Sequence, residues 1–424
     1  MPNLKDIDAY EVVVLGAGYA GLMAAFGLTG RNRLARVALI NERDEFVERI
    51  RLQENLSGPV AARLPPLAQL LRGTRVSFIR GRVESLDAVR HRVRVSVDGE
   101  CRELSFKRCI YALGSNTDQS MAVGINEYAY RLDPGNDVRS ANALRARLEL
   151  GAGRPLRVVV VGGGNTATEA AGEIKSTWPK AEVTMVSRSR AGDFGKGNRL
   201  ERLVRGELQS LEVRLVDGQT VTTVRADAVD TACGKTYTAD ICVWAAGVRA
   251  PSIARQAGLA VDAQDRICAD PKLSSTSHHD ILAVGDALRP LAPTGARYRL
   301  SAFVAIISGA YAARRIVHEA KGGSARPFSF SAYGQGVAIG HRGIGFFTFP
   351  NDIDAYAVVG GPLALRIRNL FVWALVFFLK LERLFPGSSL FWIGRRRVSW
   401  QLAVEALRNS PHQKPVLPAA TNTE

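Results

Sequence analysis

The sequence is short of cysteine, of acidic residues and of long hydrophobic runs. Its five cysteines form no Cys-x-x-Cys pair and show no metal-ligand spacing, so we expect neither a disulfide framework nor a metal site. An odd number of scattered thiols is typical of the reducing cytoplasm. The first ten residues have no apolar stretch behind a basic region, and we expect no secretory signal there.

Positive charge dominates the composition. Lysine and arginine number 56 against 40 aspartates and glutamates, which gives a formal net charge of +16. This excess favours anionic partners, whether phosphorylated cofactors, an anionic membrane or nucleic acid, although solvated arginines explain it equally well. No basic stripe is interleaved with aromatic residues, which argues against nucleic acid. A chain of 424 residues predicts two or three domains.

A glycine-rich loop follows the first predicted strand. Four apolar residues, 12–15, precede Gly16-x-Gly18-x-x-Gly21, and an alanine-rich helix follows. In this pattern Gly16 allows a tight turn, Gly18 lets backbone amides approach a pyrophosphate, and Gly21 lets the helix pack on the strand. The sequence therefore predicts a dinucleotide at the N-terminus of this helix.

The same design recurs in the middle of the chain. A predicted strand, 158–161, leads into Gly162-x-Gly164-x-x-Ala167 and a second helix. In each half the residue that follows the next strand, Asn41 or Ser187, lies 25 positions after the first glycine of the loop. The equal spacing indicates an internal duplication and predicts a second dinucleotide site.

The two strand ends differ in charge. The strand that follows the first loop and helix, residues 37–40, is succeeded by Asn41 and Glu42, either of which can accept a hydrogen bond from a ribose hydroxyl. The second is followed by Ser187 and Arg188, which suit the 2′-phosphate of NADP because no carboxylate is there to repel it. We therefore favour NADPH over NADH at the second site. The alternative is that these arginines merely face solvent.

Three further segments have the form of a short apolar strand that ends at glycine. They are residues 109–115, 242–248 and 281–287, the last containing Gly285-Asp286. Together with the two loops they resemble the two-dinucleotide-binding flavoprotein family of pyridine nucleotide oxidoreductases, over residues 11–320. The resemblance implies an α/β fold with two Rossmann-like dinucleotide-binding domains, for FAD and NAD(P), and a smaller C-terminal domain.

The resemblance also implies domain limits. The FAD domain is expected at residues 1–118 and 250–322, interrupted by the NAD(P) domain at 119–249. The C-terminal domain is expected at 323–424.

Several site residues are implied in the same way. Asp286 is expected to accept hydrogen bonds from the FAD ribityl chain, and Gly285 to let the backbone approach the flavin phosphates. Val83 matches the strand that meets the adenine. Gly114 and Gly247 match the backbone crossings near the FAD and the nicotinamide cofactor.

A charged segment, residues 46–56, lies where the family has its flavin-facing helix. We expect Arg49 or Arg51 to contact the FAD pyrophosphate or the flavin ring. Pairing of Arg49 with Glu45 within the helix is the alternative.

The absence of a cysteine pair separates this sequence from the disulfide reductases of the family. Electrons then pass from the flavin directly to an acceptor.

Residues 162–173 and 333–345 resemble type II NADH dehydrogenases instead. Glu169 matches a glutamate near their nicotinamide and flavin, and it is the candidate catalytic residue, relaying a proton or orienting the nicotinamide. The alternative is a structural hydrogen bond across the domain interface.

One departure concerns the electron acceptor. Type II dehydrogenases carry two glutamines on the helix that shapes their quinone site, and Phe303 and Ser308 stand at the matching positions here. The leading interpretation is an NAD(P)H dehydrogenase that passes a hydride to FAD and electrons to a quinone-like acceptor. The alternatives are a soluble reductase with a ferredoxin-type or biosynthetic small-molecule acceptor and, more remotely, a redox-gated flavoprotein that binds nucleic acid.

An apolar helix is predicted over residues 363–385. Its uninterrupted apolar core, 370–379, is shorter than the about 20 residues that span a bilayer. Flanking arginines and Trp373 suit a helix in the membrane interface, and Arg395–Arg397 can bind anionic headgroups. We therefore expect a cytoplasmic protein in peripheral contact with the membrane through residues 363–397. A buried core helix or a homodimer helix is the alternative.

Overall fold

The computed structural model describes residues 8–29, 36–58, 63–133, 140–195, 198–291, 296, 298–349, 352 and 355–389. The basic cluster at 395–397 lies outside the described residues.

The strands are β1 (Asp8–Leu15), β2 (Val37–Asn41), β3 (Val76–Arg80), β4 (Arg82–Asp87), β5 (Arg92–Val97), β6 (Glu100–Tyr111), β7 (Asn116–Thr117), β8 (Ala129–Arg131), β9 (Arg157–Val161), β10 (Glu182–Val186), β11 (Arg214–Val216), β12 (Val221–Val224), β13 (Ala228–Thr231), β14 (Thr236–Thr238), β15 (Ile241–Trp244), β16 (Val248–Arg249), β17 (Ile267–Ala269), β18 (Ile281–Ala283), β19 (Leu288–Pro290), β20 (Gly334–Ile339), β21 (Arg342–Thr348) and β22 (Ala355–Gly361).

The α-helices are α1 (Tyr19–Leu28), α2 (Leu67–Leu70), α3 (Ile125–Tyr128), α4 (Ala141–Leu150), α5 (Asn165–Thr177), α6 (Asn198–Ser210), α7 (Ile253–Gln256), α8 (Ala302–Glu319) and α9 (Pro362–Leu384). Two 3₁₀ helices cover Arg49–Leu56 and Gly285–Ala287.

The first sheet is built around β1. Its strand order is β3-β2-β1-β6-β5-β4, and β18 also pairs with β6. Strands β1, β2, β3, β6 and β18 are parallel, while β4 and β5 join antiparallel. The last four residues of β1 are apolar and buried on both faces, as in parallel sheets covered by helices. The predicted strands at 12–15 and 37–40 are confirmed.

The second sheet repeats this arrangement around β9. Its order is β11-β10-β9-β15-β8, and every pair is parallel. The strands predicted at 158–161 and 183–186 are confirmed as β9 and β10. A small antiparallel sheet, β12-β13-β14, lies beside it and shares an apolar cluster with β9 and β15.

Two short strands join the sheets where the chain was expected to cross between domains. Strand β7 pairs antiparallel with β16, with Thr117 opposite Val248. The two crossings therefore run side by side, although the domain limits themselves stay predictions.

The C-terminal unit is an antiparallel sheet, β20-β21-β22, followed at once by α9. A Cβ on Gly336 would lie 2.5 Å from Cβ of Arg368, so glycine lets the helix approach the sheet. Farther along, Val376 and Leu379 join the core of the first unit with α1 and α8. The predicted α/β class, with two Rossmann-like units and a smaller C-terminal one, is confirmed.

Candidate active site

The first glycine loop leaves an open cradle at the N-terminus of α1. Gly16 has φ +96°, and a Cβ on Gly21 would lie 1.8 Å from its carbonyl oxygen, so the helix touches the loop. A Cβ on Gly18 would meet no described atom within 4 Å, and no described side chain caps the helix. The first-turn amides therefore face free space, which fits a pyrophosphate.

The end of β2 braces this loop. The side-chain oxygen of Asn41 accepts a hydrogen bond from the N–H of Ala17 at 2.9 Å, and its amide nitrogen donates to the backbone two residues on. Glu42, the next residue, is exposed. This geometry favours Glu42 as the ribose acceptor. Val83 lies just beyond Gly81, whose N–H donates to the carbonyl of Asn41 at 2.9 Å, which brings β4 to the same edge.

The turn after β18 lies at the carboxyl edge of the first sheet. Gly285 has φ +63°, its N–H donates to Oγ of Ser308 at 3.0 Å, and its carbonyl accepts from the hydroxyl of Tyr298. Asp286 accepts from Oγ of Ser115 at 3.0 Å, which connects the ends of β6 and β18. Burial, with the charge of Asp286, raises the pKa of Tyr298, so its hydroxyl stays a donor.

Arg49 reaches this edge from the 3₁₀ helix. Its guanidinium donates to the carbonyl of Ser115 and pairs with Asp133 at 3.4 Å. A Cβ on Gly114 would lie 4.0 Å from it. Within the described structure Arg49 does not form the alternative pair inside its own helix, whereas Arg51 does pair with two glutamates of that segment. Of the two arginines, Arg49 is therefore the one whose guanidinium lies at this edge of the sheet.

The second glycine loop repeats the cradle. Gly162 has φ +140°, and its missing Cβ would lie 3.1 Å from that of Ala167, which is buried. A Cβ on Gly164 would meet none of the described atoms within 4 Å, and α5 begins without a side-chain cap from them. Gly247 has φ +69°, and a Cβ there would lie 2.1 Å from the sulfur of Met121.

The two nucleotide-binding residues predicted at the end of β10 differ in their exposure to solvent. Ser187 is buried, and its Oγ lies 2.3 Å from where a Cβ on Gly163 would be. Arg188 and Ser189 are exposed. Arg190 is held by a glutamate of α6 at 2.6 Å, whereas Arg188 forms no ion pair with any described residue. Arg188 is thus the cation available at the rim of this cradle.

Glu169 lies on α5 and is buried among three hydrogen-bond donors. Nε2 of Gln53 donates at 2.7 Å, the N–H of Ala338 at 2.9 Å and Nη2 of Arg368 at 3.3 Å. Burial raises the pKa of Glu169, and the Arg368 guanidinium opposes that rise. The donors come from the first unit, the C-terminal sheet and α9, so Glu169 is the point where three parts of the molecule meet.

An ion-pair chain continues from Glu169 toward the surface. Arg368 also pairs with Glu54, which pairs with Arg51 at 2.7 Å. Arg51 pairs with Glu48 at 3.1 Å, and Glu48 lies 3.6 Å from Arg63. We call this set the Glu169 network. It consists of the ion-paired residues Glu48, Arg51, Glu54, Arg63, Glu169 and Arg368, together with Gln53, which donates to Glu169.

Arg368 and Gln53 are not among the site residues predicted from the sequence. Arg368 lies four residues from Ala364 and from Val372, both buried, so helical spacing places it on the covered face of α9. That spacing was the available signal.

The two positions that hold glutamine in type II dehydrogenases have unequal surroundings. Phe303 is partly buried. Ser308 is fully buried, and its Oγ, besides supporting Gly285, donates to the carbonyl of Val304 at 2.7 Å. Ser308 therefore supports the turn after β18 rather than facing an acceptor.

The outer face of α9 is apolar and exposed. We name it the α9 stripe; it comprises Leu363, Leu370, Trp373, Phe377 and Leu384, each between 42% and 66% exposed. The rings of Trp373 and Phe377 stack with centroids 5.2 Å apart. By length and hydropathy α9 is the one helix in the described ranges that could cross a membrane, but its other face is packed on the protein.

The chain is similar to known proteins over most of its length. The family model described as "Pyridine nucleotide-disulphide oxidoreductase" matches residues 10–309. A type II NADH:quinone oxidoreductase of Staphylococcus saprophyticus is 24% identical over 377 residues, covering 80% of this chain and 90% of the relative.

Two solved structures have the same fold. One is the sulfide:quinone oxidoreductase of Aquifex aeolicus, at TM-score 0.74 and 18% identity, covering 92% of this chain and all of the other. The other is NDH2 from Plasmodium falciparum in complex with NADH, at TM-score 0.73 and 13% identity, covering 90% and 99%.

The chain therefore belongs to the pyridine nucleotide-disulphide oxidoreductase family. Within it, the protein is an NADH dehydrogenase-like oxidoreductase that uses a flavin and a pyridine nucleotide.

Proposed function

We propose that the protein oxidises NADPH at its FAD and passes the electrons to a quinone-like acceptor at a membrane surface. The observation that carries the proposal is the pair of glycine cradles, at Gly18 and Gly164, each at the start of an uncapped helix on a parallel sheet. FAD bound at the first cradle supplies the hydride acceptor. The chain supplies alignment of the two cofactors and exclusion of water.

The first cradle is assigned to FAD by the groups around it. Asp286 offers a carboxylate to the ribityl hydroxyls, and Glu42 offers one to the ribose. Arg49 lies beside Gly114 and donates to the carbonyl of Ser115, whose hydroxyl donates to Asp286, so Arg49 can meet the pyrophosphate or the flavin ring.

The second cradle is assigned to NADPH by charge. Arg188 is exposed beside it and free of ion pairs with the described residues, and Ser189 adds a hydroxyl. A guanidinium binds a phosphate through two parallel hydrogen bonds. Ser187, which is packed under the loop, is the less important of the predicted contacts.

Direct transfer from flavin to acceptor is supported by the state of the thiols. All five cysteines are unpaired, and Cys109, Cys242 and Cys268 are buried. Burial raises the pKa of all three, of Cys242 to about 12, so their reactive thiolate forms are scarce at neutral pH.

Glu169 is proposed to hold a proton for the reaction. Burial favours its neutral form while Arg368 favours the carboxylate, so the site can stabilise either state. Gln53 and the N–H of Ala338 keep the carboxyl group in one orientation.

A quinone-like acceptor is supported by the named activity of the staphylococcal relative and by the α9 stripe. Because Arg368, Val376 and Leu379 fasten the opposite face of α9 to the protein, the stripe suits a helix lying in the membrane interface. A protein in this position collects an apolar acceptor directly from the cytoplasmic leaflet.

The test is purification with and without detergent, followed by the flavin spectrum. We expect a flavin that NADPH bleaches faster than NADH and that a quinone reoxidises faster than ferredoxin or oxygen. A chain that neither retains nor regains flavin overturns the FAD assignment. Reoxidation by ferredoxin alone overturns the quinone and favours the soluble alternative.

A further inference from the structure

A cavity of about 290 Å³ opens beside α9. Its lining is Arg63, Trp373, Val376, Phe377 and Lys380. Three of these side chains are apolar and two are cationic, and two of the apolar ones, Trp373 and Phe377, belong to the α9 stripe. The cavity therefore lies beside the surface that we propose to contact the membrane. Its lining combines an apolar wall with two positive charges.

The two cations are not neutralised to the same extent. The Glu169 network contains three arginines and three glutamates, so its formal charges cancel. Lys380 stands outside it, is exposed, and forms no ion pair or hydrogen bond with any described residue. The cavity therefore carries a net positive charge.

Arg63 retains an unused donor. It lies 3.6 Å from Glu48, but Glu48 is shared with Arg51 at 3.1 Å. The Nη1 atom of Arg63 is enclosed and has no acceptor among the described residues. An enclosed donor without an acceptor is costly, and an added anion relieves that cost.

We propose that this cavity binds the headgroup of an anionic membrane phospholipid. The phosphodiester lies between Lys380 and Arg63, and the acyl chains follow Trp373 and Phe377. The site rests on the proposed membrane contact of α9. A lipid with net negative charge is favoured over a zwitterionic one, whose own ammonium group is repelled by the two cations.

A neutral quinone fits the cavity less well. Its carbonyls accept hydrogen bonds but leave the charge of Lys380 uncompensated, whereas a phosphodiester offers charge and acceptors to both cations. The aromatic wall suits the glycerol and upper acyl region of a lipid, where tryptophan is enriched.

The experiment uses the flavin-loaded protein and a short-chain lipid kept monomeric, so that no membrane surface potential contributes. Dihexanoylphosphatidylglycerol is titrated while tryptophan fluorescence is recorded, and dihexanoylphosphatidylcholine is titrated in parallel. We expect saturable one-to-one binding of the glycerol lipid and weaker binding of the choline lipid. A Trp373→Phe variant should lose most of the signal.

Two variants and one matched control locate the site. Lys380→Gln should weaken binding about fivefold, equivalent to about 1 kcal/mol for one basic residue. Arg63→Gln should weaken it by at least as much, with its flavin content and melting temperature checked. Arg366→Gln removes the same charge from the exposed face of α9, but fourteen positions away, about 21 Å along the helix. It should have no effect.

Three outcomes overturn the lipid site. They are equal binding of the two lipids, equal losses in Lys380→Gln and Arg366→Gln, and displacement of the lipid by inorganic phosphate or a short-chain quinone at the same concentration. Vesicle sedimentation tests the membrane contact separately. Failure to sediment with vesicles, with monomeric lipid still bound, overturns the membrane contact and leaves the lipid site standing.

Discussion

In both dinucleotide units the residue at the strand end supports the glycine loop, and the residue after it faces solvent. The side-chain oxygen of Asn41 accepts a hydrogen bond from the N–H of Ala17, and Ser187 packs beneath Gly163. Glu42 and Arg188 follow them and are exposed. The two units therefore share one backbone design and differ in the sign of the charge that they present to the cofactor.

This difference supports our proposal that the two units hold different cofactors. In the function that we propose, the glycine loop at the start of the helix binds the pyrophosphate that FAD and NADPH have in common. The exposed residue distinguishes them, because a carboxylate accepts bonds from ribose hydroxyls and a guanidinium binds a 2′-phosphate. The first unit has in addition Asp286 and Arg49, which have no counterparts in our assignment of the second.

The largest effect is expected from substitutions that test which cofactor each glycine cradle binds. Gly18→Ala and Gly164→Ala each add a methyl group where no described atom lies within 4 Å, so the fold should persist. Crowding the cofactor costs about 1–3 kcal/mol, or about fivefold to 150-fold in affinity. Flavin content should fall only in Gly18→Ala, and NADPH affinity, measured by flavin bleaching, only in Gly164→Ala. Loss of flavin in Gly164→Ala would reverse our assignment.

An effect of similar size concerns the exposed charge of the second unit. Arg188→Glu removes a charge-assisted hydrogen bond worth about 1.5–3 kcal/mol, so the preference for NADPH over NADH should fall about tenfold to a hundredfold. The measurement is the ratio of kcat/KM for the two nucleotides. Arg214→Glu, an exposed change on β11, serves as the control and should leave the ratio unchanged. An unchanged ratio in Arg188→Glu would show that this arginine only faces solvent.

A smaller effect, on the pH dependence of kcat, is expected from substitutions in the Glu169 network. Arg368→Gln removes the cation that opposes the rise in the pKa of Glu169, so that pKa should rise further. The pH at which kcat changes with Glu169 ionisation should therefore move upward. Arg368→Lys should restore part of the shift, and Glu169→Gln should abolish that limb. A pH profile unaltered by Glu169→Gln would remove Glu169 from the reaction.

The smallest effect tests the supporting residue. The Ser187 hydroxyl packs under the loop and forms no hydrogen bond with any described residue, so Ser187→Ala should change the KM for NADPH less than about threefold. A larger increase would mean that Ser187 contacts the 2′-phosphate itself.

Much of the fold followed from local patterns. The strands 12–15, 37–40, 158–161 and 183–186 were predictable because apolar runs of this length, next to glycine loops, are typical of buried parallel strands. The structure adds that Ser308 supports Gly285 and that Arg49 pairs with Asp133. Neither contact was predictable, because each joins residues far apart in the chain.

The sequence by itself determined the family and the two glycine loops, because a positive φ at Gly16 and Gly162 and a close helix contact at Gly21 leave a local signature in residue order. Only the tertiary structure decided what surrounds Glu169. Its partner Arg368 lies 199 positions away on a helix whose own pattern predicts an apolar face. A buried carboxyl group takes its properties from whichever elements pack around it, and that packing is set by the whole fold.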